Sequence, residues 1–395
     1  MKIFHIGKHY WPSVGGMETA IRDLAEAGVR LGHEVSCAVS QTKSPWTERT
    51  VLGGVQLTRG GTFGRLLSTP LSPSLLMQAL PSSGIVHVHL PNPFAELRIL
   101  KSLLNLERKK YQIVPYLHAL PLSQGVLGEY WFSGITAKIL DEAPMILVSN
   151  SNFIKAFPQV KRWESKIRIV PFRTEILDSE AFMALRPHRE ISDWVVSVGR
   201  LVGYKGFDEL IRAWAKMKRQ GAAFSRFKLR IIGQGPEHAA LLARIDKERV
   251  SDSVVLSGEV SELEKERYLR ESMLFVAPSL TCAETFGISM LEGMGRGLPV
   301  ITTRLPTGVA TLARGGLCGA CVEPGSVEEL SQALQTLLAY SQNRHQAGLA
   351  NLEHVRVHHS DTALLSQYEQ VIAELTGSSK EDSSEDRLRK SHFSA

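Results

Sequence analysis

Two basic and two acidic side chains are spaced to grip one ligand carrying both phosphate and hydroxyl groups. The basic pair lies in Val198-Gly-Arg-Leu-Val-Gly-Tyr-Lys-Gly206, where Arg200 and Lys205 sit on a glycine-flanked loop. Fixed cations neutralise a diphosphate without a metal, Arg gripping its oxygens as a fork and Lys as a point charge. The acidic pair lies in Cys282–Ile301, where seven residues that include Phe286-Gly287 separate Glu284 from Glu292. A carboxylate accepts two hydrogen bonds, which suits adjacent hydroxyls. Glu292 matches a ribose diol and Glu284 the hydroxyls of a second sugar, with phosphates between them. A third candidate is Ser13-Val-Gly-Gly-Met-Glu18. There Gly15 and Gly16 open a helix whose amino end favours an anion. The pattern is not Gly-x-Gly-x-x-Gly, which argues against a dinucleotide fingerprint.

Alternating strands and helices must hold these groups. MKIFHIG reads as a buried strand, GGMETAIRDLAEAGVRLG as an amphipathic helix and HEVSCAVS as the next strand, a βαβ unit implying a parallel sheet. Residues 85–90, 112–118, 145–150 and 166–171 continue the short apolar runs. After the polar stretch at 185–190 a second series begins with WVVSVGR and the helix GFDELIRAWAKMKR, followed by KLRIIG, SVVLSG, SMLFVAPS and LPVITT. The expected fold is α/β: two doubly wound Rossmann-like domains facing a central cleft, since such sheets bind ligands beyond the carboxyl ends of their strands. The expected domains are 1–187 and 188–358, a helix at 359–376 returning toward the first domain, and a disordered tail at 377–395. A helix starting near Gly287 leaves Glu284 just outside it and Glu292 one to two turns inside.

The length of 395 residues fits two domains, and no uncharged apolar run reaches the ~18 residues of a membrane span. The amino terminus has too short an apolar stretch before Lys8 for a secretory signal, so a cytoplasmic protein is expected. Cys318 and Cys321 lack a second ligand pair for zinc and read as buried structural thiols. The net charge of +6 belongs to residues 1–185, with 20 Lys+Arg against 14 Asp+Glu; the remainder holds 26 of each. Such an excess suits nucleic acid, an anionic membrane or a phosphorylated ligand. No basic, aromatic-interleaved motif supports nucleic acid, and none is expected as a partner.

Taken in order, Arg200…Lys205, Ile232-Gly-Gln-Gly-Pro236, Gly258-Glu-Val260 and Glu284-x7-Glu292 resemble the family-4 retaining glycosyltransferases of the two-Rossmann (GT-B) fold. Gly15-Gly16 and His118 match that family's amino-terminal domain, and the likeness spans roughly residues 2–375. The resemblance implies that Arg200 and Lys205 hold the donor diphosphate and Glu292 the nucleotide ribose. It gives Glu284 and the backbone of Phe286, Gly287 and Ile288 the donor sugar, and the loop at Val260 the base. Gly15-Gly16 would approach the phosphates from the other domain, and His118 would reach the sugar near its reacting carbon. Pro171-Phe-Arg-Thr-Glu175 departs from the Pro-Asn-Gly of many relatives, as does the stretch after Leu312. No cofactor is implied beyond the nucleotide sugar itself. GDP-mannose is the first expectation for the donor, from the likeness of Gly7-Lys-His-Tyr-Trp-Pro12 and Leu305-Pro-Thr-Gly-Val309 to bacterial surface-polysaccharide mannosyltransferases, with UDP-sugars open. The chain contains no Asp-x-Asp, so a metal-independent reaction is expected. Arg98–Lys110 mixes leucines with five cations, as a helix docking at an anionic inner leaflet beside a lipid-linked or glycan acceptor would; a core helix with a solvated face fits as well. Two rivals share the architecture: a sugar-nucleotide 2-epimerase and a non-catalytic sugar-nucleotide-binding protein.

Overall fold

The structure is a computed structural model that describes all residues except 14, 43, 67–68, 105–109, 121–124, 179, 186–191 and 378–395. It divides into two compact units: Met1–Ser149 with Gln159–Phe172 and the chain from Asp361, and Asn150–Pro158 with Arg173–Ser360. The tail expected to be disordered lies outside the described residues from 378 onward.

In the first unit the strands are β1 (Lys2–Ile6), β2 (Glu34–Ser40), β3 (Glu48–Leu52), β4 (Val55–Gly60), the short pair β5 (Arg65–Leu66) and β6 (Thr69–Pro70), β7 (Ser83–Leu90), β8 (Lys110–Leu117), β9 (Ile146–Val148) and β10 (Ile167–Ile169). Eight of them form one sheet in the order β10-β9-β8-β7-β1-β2-β4-β3. Only β3 runs antiparallel, paired with β4 across the Gly53-Gly54 turn. The sequence reading assigns no element to residues 41–84, although a Gly-Gly turn between two alternating runs is a hairpin signal. The helix Asp361–Thr376 belongs to this unit. Arg30 donates to Asp361 at 2.8 Å, Arg168 to Glu374 at 2.9 Å, and the buried Tyr368 hydroxyl meets His87 Nε2 at 2.8 Å.

The second unit carries β11 (Trp194–Val198), β12 (Lys228–Ile232), β13 (Val254–Gly258), β14 (Leu274–Ala277), β15 (Val300–Thr303) and β16 (Gly319–Val322), all parallel, in the order β13-β12-β11-β14-β15-β16. The expected helix is found at Phe207–Lys218. Its Phe207, Leu210, Ile211, Trp214 and Met217 join Leu229, Ile231 and Val276 in one buried core. Removing that much apolar surface from water is what holds the helix on the sheet.

Three features differ from expectation. The chain changes unit at 150, 159 and 173 as well as 361, so there is no single boundary near 187. Residues after Phe172 are tied to the second unit by Thr174 N to His359 O at 3.0 Å, Leu177 N to Gly295 O at 2.9 Å, and Arg296 donating to Glu175 O at 2.7 Å. Leu177 and Phe182 also pack with Leu352. Second, the basic helix spans Pro93–Leu104, not 98–110: Lys110 begins β8, and the cations at 108 and 109 lie outside the described residues. Third, Cys318 is buried with its thiol pushed up to about 12 by burial, whereas Cys321 is half-buried in β16; all four cysteines are free. Among the described residues no helix is long and apolar enough to cross a membrane.

Candidate functional site

Loops at the carboxyl ends of β11, β12 and β13 are stitched together through their backbones. Gly199 N donates to Ile232 O (2.9 Å), Leu201 N to Gln234 O (3.0 Å), Gly233 N to Gly258 O (2.8 Å) and Glu237 N to Leu201 O (3.2 Å). Gly233 has φ +140°, and a Cβ there would lie 2.0 Å from the Gly199 carbonyl oxygen, so only glycine lets these strand ends meet. Gly206, with φ +70°, closes the loop the same way: its Cβ would lie 2.0 Å from the Pro278 oxygen. Arg200 stands exposed on this ledge, without an ion-pair partner among the described residues. Val260 is half-buried just ahead of the helix Glu262–Glu271, which Ser261 and Glu264 cap reciprocally.

Lys205 and Glu284 form an ion pair, and Ser279 Oγ donates to the same Glu284 oxygen at 3.1 Å. Both partners are mostly shielded, with side chains 15% and 13% exposed. Burial opposes the lysine's charge, but Glu284 and Tyr204 outweigh it and hold Lys205 above its ordinary range. The pair lines a narrow pocket of about 10 Å³ together with Ser197, Gly287 and Ser289. This is room for one water, so a larger ligand must sit at its mouth.

The helix Ile288–Gly295 begins there. Leu291 N bonds to Gly287 O at 3.0 Å, and the N–H groups ahead of it have no carbonyl within the helix to accept them. They are the helix-end donors anticipated for an anion. Phe286 is 2% exposed and packed on Gly308, so what it offers a ligand is backbone. One turn inside, Glu292 accepts from Lys265 at 3.0 Å, and Lys265 also meets Glu262 at 2.8 Å. Lys265 was not singled out from sequence; the visible signal is the Ser261-x-x-Glu264 cap, which starts a helix whose fourth residue is this lysine. The second unit thus joins Lys205, Glu284, Gly287 and Ile288 at one helix end, with Glu292 farther along the same helix.

Gly15, Gly16 and His118 belong to the first unit. Gly16 opens the helix Gly16–Arg30 and is exposed. Gly15 has φ 166°, extended backbone open to any residue, so its conformation does not demand glycine. His118 follows β8 and is 7% exposed, its N–H bonded to Leu90 O at 3.0 Å. It belongs to a group of four buried imidazoles with His5, His87 and His89. Desolvation pushes His118 down to about 3 and His87 to about 4, and drives His5 and His89 well below their ordinary value. The sequence reading names His118 alone, although the His87-Val-His89 alternation on one face of a strand was legible. Among the described residues no group of three or more His, Cys, Asp or Glu is arranged to hold a metal.

Comparison with known proteins divides along the same lines. A family model described as Glycosyltransferase Family 4 matches residues 14–171, and one described as Glycosyl transferases group 1 matches residues 179–352. The D-rhamnosyltransferase WbpZ of Pseudomonas aeruginosa is 26% identical over 360 residues, covering 88% of this chain and 89% of its own. The O-antigen chain mannosyltransferase C of Escherichia coli is 25% identical over 352 residues, 85% and 88% of the two chains. A GDP-mannose:cellobiosyl-diphosphopolyprenol alpha-mannosyltransferase of Xanthomonas oryzae pv. oryzae is 23% identical over 356 residues, 87% and 89%. Among solved structures, the sucrose-phosphate synthase of Thermosynechococcus elongatus superposes with a TM-score of 0.74 at 18% identity, over 96% of this chain and 100% of that one.

Proposed function

We infer the reaction from one premise: the chain belongs to the group 1, family 4 glycosyltransferases. It moves a sugar from a nucleoside diphosphate donor to a glycan or lipid-linked acceptor in surface-polysaccharide synthesis, with retention of configuration and no metal. The observation that carries this reading is the Lys205–Glu284 pair at the free amino end of the helix Ile288–Gly295. A cation for a leaving diphosphate and a carboxylate for sugar hydroxyls stand side by side there. Lysine has three N–H donors, so Lys205 can keep Glu284 and still turn donors toward phosphate. Arg200 and the helix end complete the grip on the diphosphate. Glu292 takes the ribose, the backbone of Phe286, Gly287 and Ile288 supports Glu284 on the sugar, and the loop at Val260 meets the base. To Gly15 and Gly16 we assign the phosphates and to His118 the sugar, as the family likeness implies. As the sugar–oxygen bond breaks, charge grows on the diphosphate, where these donors already point. Attack follows on the same face, the departing phosphate taking the acceptor's proton.

GDP-mannose is the donor we favour, supported by the names of two mannosyltransferase relatives. The enzyme would work on the cytoplasmic side, at the inner membrane face where a polyprenol-linked acceptor is presented. A thermal-shift screen against GDP-mannose, UDP-glucose and dTDP-glucose tests the donor: ligand at about 100 times its Kd adds about 2.7 kcal/mol of stability. Stabilisation by none of the three would sink the reading.

Two further outcomes follow from the site. Glu292→Gln weakens GDP and GDP-mannose alike by about tenfold, a lost hydrogen bond to a charged group, whereas Glu284→Gln weakens GDP-mannose and spares GDP. Titration calorimetry reads both, and the reverse pattern overturns the assignment of the pair. Transfer from GDP-mannose also continues undiminished in EDTA. Loss of activity restored by Mn²⁺ would refute metal independence.

A further inference from the structure

Three buried imidazoles stand in a hydrogen-bonded row. His118 Nε2 lies 2.9 Å from His89 Nδ1, and His89 Nε2 lies 3.1 Å from His5 Nδ1. Neighbouring rings stack at 5.2 Å and 5.4 Å between centroids. Topology creates the row: β7 runs between β1 and β8, which brings His89 between His5 on β1 and His118 at the end of β8. Both ends, His5 Nε2 and His118 Nδ1, are buried without a hydrogen-bond partner among the described residues. His87 stands beside the row, its Nδ1–H on the Val114 carbonyl at 3.3 Å and its Nε2 at the Tyr368 hydroxyl.

A neutral imidazole has one N–H and one lone pair, so the direction of one link sets the other. Donation from His118 toward His5 would make all three rings Nε2–H tautomers and strand an N–H on His5 in the interior. Donation from His5 toward His118 makes all three Nδ1–H, leaves a lone pair on His5 and puts the surplus N–H on His118 at the carboxyl end of β8. Each direction thus leaves one buried N–H, and only the second places it where a sugar hydroxyl can accept it.

We propose that His5, His89 and His118 form one row of a single tautomer, in which His5 and His89 are positioning residues holding the Nδ1–H of His118 as a donor to a hydroxyl of the transferred sugar. The sugar contact and the direction of the row rest on the role given to His118 above; that the three rings share one tautomer does not. Desolvation keeps the row uncharged at neutral pH. His118 therefore offers a hydrogen bond without setting a positive charge beside a carbon that is itself becoming positive.

Long-range ¹H–¹⁵N NMR of the full chain with labelled histidines at pH 7.5, assigned through single variants, reads the tautomers directly. All three rings should be Nδ1–H, against the Nε2–H form that neutral histidine usually prefers. Aspartate at position 5 can only accept, so it draws the His89 proton to Nε2. His5→Asp should therefore switch His118 to Nε2–H and slow GDP release from GDP-mannose about tenfold in kcat, the equivalent of one hydrogen bond. KM should stay near its starting value. His5→Asn, whose amide N–H takes the place of ring Nδ1, should restore both tautomer and rate. Mixed tautomers in the unsubstituted protein, or an imidazolium at any of the three, overturn the row, whatever the variants do. A uniform tautomer whose His118 resonance ignores GDP-mannose, while the same ligand raises the unfolding midpoint, overturns the sugar contact and leaves the row standing. A rate that His5→Asn fails to recover overturns the positioning role.

Discussion

Alanine at position 205 lowers turnover by about 10²–10³-fold, or about 2.7–4 kcal/mol of lost transition-state stabilisation, the scale measured for removing one preorganised donor. The charge it answers is nearly all created in the transition state, as the diphosphate leaves, so the loss falls on kcat more than on donor affinity. The structure adds a second reason. Lys205 is the partner of Glu284. Removing it leaves a shielded carboxylate facing the phosphates, and a lone charge out of water is costly. Lys205→Arg should recover little, because the enclosed pocket holds only about 10 Å³ and a guanidinium fork is broader than an ammonium. Removing both charges in Lys205→Ala/Glu284→Ala should retain some phosphate binding that the single variant loses. Steady-state release of GDP from GDP-mannose measures all three. A Lys205→Ala enzyme within threefold of the unsubstituted rate would end the leaving-group account.

Acid unfolds this protein well before its carboxylates titrate. His87 and His118 are held down to about 4 and about 3 by burial, against 6.5 for an accessible histidine. At pH 5 both stay neutral when folded but protonate when the chain unfolds, so the unfolded state binds more protons. The stability each contributes is complete above 6.5 and is lost as pH falls toward the folded values. By pH 5 the loss is about 2 kcal/mol for each of these rings. His5 and His89 shift the same way and add to it. Glu96 opposes them, since burial raises its carboxyl, but it is one group against these four, and His33 and His354 are lowered as well. Thermal melts between pH 7.5 and 5 should show a steep fall of the midpoint, shallower in His87→Gln. A flat profile would mean the rings are not buried as neutral species.

Much of the second unit was legible because its signals are local. A glycine-flanked loop after an apolar run, and a helix stop and start around Gly287, depend on neighbouring residues only. Accordingly β11, the helix Phe207–Lys218 and the helix at 288 fall within a residue or two of expectation. The hairpin β3–β4 was missed although its Gly-Gly turn is local as well. The basic helix was overextended to Lys110 because leucines and cations give no stop signal, and strand pairing with β7 claimed that lysine.

The amino-acid sequence alone determined the α/β class, the two doubly wound series, the charged quartet and the family likeness. Each is written in residue types and spacings that act over one or two elements. Tertiary structure alone decided that Lys205 is paired with Glu284 across 79 residues, that Lys265 serves Glu292 and that the residues after Phe172 join the second unit. It also decided that His118 ends a row reaching back to His5. These depend on which strands become neighbours in a sheet, and parallel pairing joins segments far apart in the chain through contacts that no local pattern encodes.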